Sequence, residues 1–278
     1  MQKKIDEEAL AEAYNRALAL EKSGDVEAAV AAYGEVLALD PDDHGGAAVR
    51  IASMGRGETP DKAPDAYVTT LFDQHADVFE DVLVEQLGYS VPMMVRQRLQ
   101  ALGLGPFKSL LDLGCGTGLT GGALRDMAEH LTGVDLSENM VEIAHEKDLY
   151  DALYVGEAVD FLEDNEDGPF DLVTATDVLP YLGGLEALFF AAAETMEPGG
   201  LFIFSSETLP DDVFASRRFM VGPHQRFAHA RDYVLERLEA TGFDLVDLTD
   251  ITVRMEDGAP IAGHLVVARL RQPSTADA

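Results

Sequence analysis

Between residues 5 and 55 the apolar positions recur at helical spacing. Leu10, Ala13, Tyr14, Ala17, Leu18 and Leu20 predict one helix, and Val26, Ala29, Val30, Tyr33, Val36, Leu37 and Leu39 a second. Between them Gly24 can end the first helix and Asp25 can cap the next, while Pro41 stops the second. A third helix is expected at about 45–54. Residues 55–64 (GRGETPDKAP) are rich in glycine, proline and charge and read as a linker. Helical spacing returns over 65–103 through Tyr67, Leu71, Phe72, Val78, Phe79, Val82, Leu83 and Leu87, and Pro92 suits the first turn of a further helix.

From Lys108 the pattern changes to short apolar runs alternating with helical stretches. Strands are predicted at 108–113, 131–135, 152–155, 170–175, 200–206, 245–253 and 262–270, and helices at 119–129, 137–147, 184–196 and 229–241. This alternation predicts an α/β fold, a doubly wound, mainly parallel seven-stranded sheet preceded by an all-helical region. The last two strands are separated only by Glu256-Asp257-Gly258-Ala259-Pro260 and should form an antiparallel edge hairpin. The tail 272–278 is expected to fray.

Charge then narrows the partners. The chain has 278 residues and sets 51 Asp+Glu against 20 Lys+Arg, a net charge of −31. Such a surface repels phosphate backbones and anionic lipids, so neither nucleic acid nor membrane is an expected partner. It also suits a saline habitat, where acidity would serve solubility. The single Cys115 excludes a disulfide framework and a cysteine-cluster metal site. No run of 18 apolar residues is present, and acids interrupt the N-terminal stretch before a signal core could form, so the protein is expected to be cytoplasmic.

The most informative stretch is SLLDLGCGTGL, residues 109–119, an apolar strand followed by Gly114-x-Gly116-x-Gly118 and a helix. Glycines at such a turn allow positive φ and let backbone N–H groups approach a ligand. Asp135 ends the next strand, where a carboxylate can accept hydrogen bonds from ribose hydroxyls. Dinucleotide-binding loops read G-x-G-x-x-G, and position 119 here is leucine. With Asp112 two residues before the first glycine, LDLGCGTG followed by GVDLSENMVEIA resembles the class I S-adenosylmethionine-dependent methyltransferases.

The resemblance runs from about 107 to 271 and implies a Rossmann-like methyltransferase domain with S-adenosyl-L-methionine as cofactor. It implies cofactor contacts from Asp112, Gly114, Cys115, Gly116, Gly118, Asp135, Leu136, Met140, Glu157, Ala158, Thr176 and Asp177. Gly156-Glu157-Ala158 looks like the adenine site, residues 170–182 like the fourth-strand motif bordering methionine and substrate, and Pro198-Gly199-Gly200-Leu201 like the turn into the fifth strand. Cys115 reads as a small apolar filler, with nothing basic beside it to make a thiolate. The helices of 1–58 resemble one tetratricopeptide repeat, with Gly24, Ala29, Tyr33 and Pro41 at its spacing, and within the helical lid/linker segment 59–106 residues 67–92 resemble the N-terminal lid of bacterial methyltransferases carrying such repeats. A lone repeat cannot bury its own face. It is therefore either a layer packed on the main domain or a module for a homodimer or protein partner.

Methyl transfer from a sulfonium is an in-line displacement governed by positioning, and a base is needed only when the nucleophile arrives protonated. The acceptor is a small molecule offering oxygen, nitrogen or sulfur. The segment 207–229 is expected to cap the site. It holds Arg217, Arg218, His224, Arg226 and His229, in contrast to the acidic, cation-free stretch between Lys147 and Arg217. His224 or His229 is expected as base or substrate orienter and Arg226 as the holder of an anionic substrate group. Each could equally pair with neighbouring acids. Tyr181 could line the pocket or merely fill a helix entry. The fifth strand ends Ser205-Ser206-Glu207 without an Asp-Asn pair, so no metal is expected. Two other readings stay open, a nicotinamide-type oxidoreductase and a non-catalytic S-adenosylmethionine-binding adapter.

Overall fold

The computed structural model describes residues 6–164 and 167–273. Most of the tail expected to fray therefore lies outside the described residues. A single sheet organises the molecule: β1 (Phe107–Leu113), β2 (Ala128–Asp135), β3 (Ala152–Val155), β4 (Phe170–Ala175), β5 (Met196–Glu207), β6 (Phe219–Val221), β7 (Phe227–His229), β8 (Phe243–Glu256) and β9 (Ala259–Leu270). Its body runs β3-β2-β1-β4-β5, all parallel, and continues through β9 and β8 as an antiparallel hairpin on the far edge of β5. Register fixes the two faces. Phe202 and Phe204 of β5, with Val266 and Ala268 of β9, join one core with Phe170, Phe189 and Phe243. Leu201 and Ile203, with Leu265 and Val267, join the opposite core with Leu99, Leu110 and Leu124. This period-two division makes the strands read as nearly continuous apolar runs. Between β1 and β4 the strand order reverses, and a crevice opens there at the carboxyl ends.

Among the described residues, helices both precede the sheet and connect its strands. The N-terminal region holds α1 (Glu7–Ser23), α2 (Val26–Leu39) and α3 (Ala47–Ser53), followed by α4 (Asp65–His75), a short 3-10 and π-helical run to Gln86, and α5 (Val91–Leu102). Asp6 and Asp25 cap α1 and α2 as side-chain acceptors, and Gly24 closes α1 at φ 82°. Ala17, Tyr33, Val36 and Ala47 are the buried centre of this bundle. Within the sheet domain α6 (Leu119–Leu124), α7 (Glu138–Glu146), α8 (Ala158–Asp164), α9 (Glu186–Thr195), α10 (Asp211–Phe214) and α11 (Arg231–Ala240) complete the helices.

Four details differ from the sequence pattern. The helix expected over 119–129 ends at Leu124, and β2 begins at Ala128. Helix α8 was not visible in the periodicity; Glu157 starts it by accepting the N–H groups of Val159 (2.6 Å) and Asp160 (3.0 Å). The cap carries a three-residue hairpin, β6–β7, too short for alternation to reveal. Ala228 of β7 pairs with Glu207 of β5, so the sheet has nine strands rather than seven. Finally, 55–64 does not hang free. Ala63 N–H donates to Tyr181 O (2.8 Å), and Gly183 and Gly184 N–H donate to Asp61 O (2.7 and 2.9 Å). Buried backbone groups need partners, and this segment finds them on the loop after β4. Ala63 then packs with Val49 and Ala52 of α3 and with Val221 and Phe227 of the cap. Among the described residues no helix is long and apolar enough to cross a membrane.

Candidate active site

The crevice is a cleft open at its mouth. The glycine loop forms its floor. A Cβ on Gly116, at φ 52°, would meet nothing nearer than the Phe79 ring at 3.9 Å, so bare backbone faces the cleft. At Gly114 a Cβ would come within 2.5 Å of Val178, so this glycine allows the loop to press against the end of β4. Gly118 does a different job: with Gly121 and Gly133 it clears space for the Tyr150 ring.

Asp135 accepts the Gly116 N–H at 2.8 Å and the Ser137 N–H at 2.9 Å, which aims its carboxylate along the loop. Burial pushes its pKa above the usual carboxylate range, against the pull of these N–H donors. On the β4 side Thr176 meets Thr120 (Oγ1 to Oγ1, 2.8 Å), and Asp177 follows at φ 63°, a conformation rare outside glycine and associated with functional sites. The lid supplies the wall opposite: Phe72 stands edge-on to Phe79 and Tyr181, with centroids 5.9 and 5.4 Å apart. Polar contacts fasten the lid: Ser137 Oγ donates to Asp73, and Thr117 Oγ1 and Lys147 Nζ reach Glu80.

The cleft brings together Gly114, Cys115, Gly116, Asp135, Leu136, Glu157, Ala158, Thr176, Asp177 and Tyr181. Three expected cofactor residues stand outside its lining. Gly118 serves Tyr150. Met140 is fully buried in α7. Asp112 lies behind the loop, where it accepts hydrogen bonds from Tyr150 Oη and Thr174 Oγ1, both at 2.8 Å. Burial raises its pKa to about 7. Tyr150 in turn accepts the Gly121 N–H at 3.1 Å, so Asp112 braces the loop–helix junction through that ring. Cys115 is buried, and burial pushes its thiol pKa well up, in keeping with a filler.

The cap requires a larger correction. Arg226 donates through Nε to Glu207 Oε1 (2.7 Å), through Nη1 to Tyr181 Oη (2.7 Å) and through Nη2 to Asp177 Oδ1. Arg254 on β8 shares the same Glu207 oxygen and continues to Glu256. A buried guanidinium must be matched by carboxylates, and this one is matched within the chain rather than held for a substrate anion. Arg218 pairs with Glu186 and Glu236, Arg231 with Asp250, and Arg217 donates to the Phe214 and Val213 carbonyls. His229 is buried against Tyr233; its Nε2 meets Leu182 O at 2.8 Å, and burial lowers its pKa to about 4. His224 sits beyond the Arg254–Glu256 pair, with Nδ1 3.3 Å from Glu256. Neither histidine lines the cleft, because the cap hairpin directs one inward and the other away.

Sequence reasoning missed Lys62, Ala63, Asp65 and Tyr89, which also line the cleft. The lid resemblance over 67–92 was the available signal for Tyr89; the linker gave none. Among the described lining residues, Asp65, Asp135, Glu157 and Asp177 stand against Lys62. A bare-backbone cradle, the Asp135 carboxylate beside it and a surplus of carboxylates fit S-adenosylmethionine, whose sulfonium and ammonium leave it cationic.

The sequence matches the family described as "Methyltransferase domain" over residues 87–257, more than half of the chain, and the chain belongs to that family. Methyl transfer from S-adenosylmethionine is the chemistry of that family. The nicotinamide reading is thereby set aside. Curated relatives include the ubiquinone biosynthesis O-methyltransferase of Idiomarina loihiensis, 33% identical over 106 residues, which are 36% of this chain and 42% of that protein. The enzyme of the same description from Thiobacillus denitrificans is 33% identical over 170 residues, 52% of this chain and 71% of that protein. The chain thus spans less than half the length of the first of these. Among solved structures, the cyclase SpnF superposes with a TM-score of 0.61 at 16% identity, covering 78% of this chain and all of that one. The CcbJ methyltransferase from Streptomyces caelestis gives 0.55 at 22%, covering 73% and 98%. At these identities the likeness speaks for the fold alone.

Proposed function

We propose that this protein transfers the methyl group of S-adenosylmethionine to a hydroxyl of a small, uncharged aromatic molecule. The observation that carries the reading is Asp177, a carboxylate only 16% exposed, in a cleft also lined by Phe72, Phe79 and Tyr181. The O-methyltransferase relatives supply the same acceptor atom.

The cofactor provides an electrophilic methyl on sulfur. The chain's residues do the remainder. Gly116 and Asp135 fix the adenosyl half, and the aromatic wall presents an acceptor ring and excludes water. A hydroxyl is a poor nucleophile until its proton leaves, and Asp177 is placed to accept it. Burial raises the Asp177 pKa while Arg226 opposes that rise, so the carboxylate is a stronger base than a solvated one. Arg226 is a positioning residue, tying Asp177 to Tyr181 and Glu207.

Steady-state kinetics of Asp177→Asn with a catechol acceptor test the proposal. Turnover should fall by about 10²- to 10⁴-fold, the usual range for a lost general base, with S-adenosylmethionine affinity retained. A variant that loses affinity while keeping turnover would make Asp177 a cofactor ligand instead.

A further inference from the structure

Lys62 is the cation on the cleft wall, and nothing in the motifs assigns it. It comes from the segment expected to be a passive linker. That segment is held against residues 181–184 by the three backbone hydrogen bonds of Asp61 and Ala63, so the position of Lys62 is fixed by main chain. Its Nζ lies 2.8 Å from Asp65 Oδ1 and 3.6 Å from Glu157 Oε1. Glu157 belongs to the opposite wall. It follows β3, which pairs with β2 at Val155↔Asp135, and the Gly156 N–H donates to Asp135 O at 2.9 Å. The Lys62–Glu157 contact therefore joins the segment 61–65 to the end of β3, beside the strand that ends in Asp135.

We propose that Lys62 is a cofactor-site residue that clasps the adenosyl end of S-adenosylmethionine, and that the N-terminal helical region serves to hold this clasp. Glu157 uses Oε2 to cap α8 and offers Oε1 across the mouth. The Glu157 side chain is only 14% exposed, whereas that of Lys62 is 44% exposed. A half-solvated pair of this kind contributes modestly and is screened by salt. That suits a contact that must open each time cofactor exchanges. The mechanical support is equally explicit. Ala63 is wedged among Val49 and Ala52 of α3 and Val221 and Phe227 of the cap, so α3, the segment around Ala63 and the cap form one packed unit.

The test uses the full chain and S-adenosylhomocysteine, with no acceptor present, so that failure of the O-methyl reading leaves it unaffected. Dissociation is followed by stopped-flow displacement at low and high salt. Lys62→Met should release the ligand about three- to tenfold faster at low salt, as expected for losing one partly screened ion pair. It should also lose most of the salt dependence shown by the parent. Lys62→Arg should restore both. Glu157→Gln, which keeps an acceptor for the α8 cap, should mimic Lys62→Met, and the double variant should add little. Release rates for Lys62→Met within twofold of the parent, or a Lys62→Arg variant that behaves like Met, would overturn the clasp.

Discussion

Arg226 Nη2 donates to Asp177 Oδ1 while Nη1 of the same guanidinium donates to Tyr181 Oη. One largely buried cation thus couples the carboxylate after β4 to the Tyr181 ring on the cleft wall, and Glu207 anchors it from β5. Three elements far apart in sequence meet at this guanidinium.

Removing that guanidinium should therefore cost stability as well as activity. Arg226→Met leaves Asp177 and Glu207 with one fewer counter-charge in a buried setting. Breaking a buried pair in this way costs about 3–5 kcal/mol, read as a lower urea midpoint at unchanged slope. Arg226→Lys keeps the charge without the three-way fork and should fall between.

Gly116→Ala separates binding from folding. The added Cβ has room but sits at φ 52°, where an L-residue costs on the order of 1–2 kcal/mol. It also projects into the cleft. S-adenosylmethionine affinity, measured by calorimetry, should fall at least about tenfold, corresponding to 1.4 kcal/mol or more. Gly114→Ala should instead lower the thermal midpoint more, because its Cβ collides with Val178.

His229 gives a stability signature with acid. Its folded pKa is depressed to about 4 from an ordinary 6.5, so the unfolded chain binds the proton first. The penalty is absent above pH 6.5, grows as pH falls toward 4 and then levels off. Its ceiling is about 3 kcal/mol, from 1.36 kcal/mol per pKa unit. Denaturation across this window should show a steeper acid loss for the parent than for His229→Gln.

Asp112 has the opposite sign. Its folded pKa is raised to about 7, so the folded state holds a proton that the unfolded chain releases near pH 4. The associated stability is present below pH 4 and is lost as pH rises to 7. Asp112→Asn keeps one acceptor oxygen and turns a donor NH2 to the other hydroxyl, which must then accept; its stability relative to the parent should rise between pH 4 and 7.

The parallel strands and the cofactor loop were legible because each rests on a local signal. Apolar runs such as 170–175 and 200–206 report burial on both faces, and Gly114-x-Gly116-x-Gly118 with Asp135 reports a backbone cradle. The acceptor end was not legible. Arg226 stands in a basic segment and reads as a ligand for an anion, yet its partners, Asp177 and Glu207, lie 49 and 19 residues away in sequence. Lys62 sits in a stretch whose composition says linker, and only the main-chain pairing of 61–63 with 181–184 brings it to the cleft. Asp112 carries a family signature but acts through Tyr150 rather than from the cleft wall. Long-range charge pairing leaves no periodicity to read.

The most direct measurement is product analysis after incubation with S-adenosylmethionine carrying a 13C-labelled methyl group and a catechol acceptor, followed by NMR. The account predicts label on the acceptor oxygen with the parent protein and its near-complete loss with Asp177→Asn. Label on nitrogen or carbon across an acceptor panel, or undiminished oxygen labelling by Asp177→Asn, would contradict it.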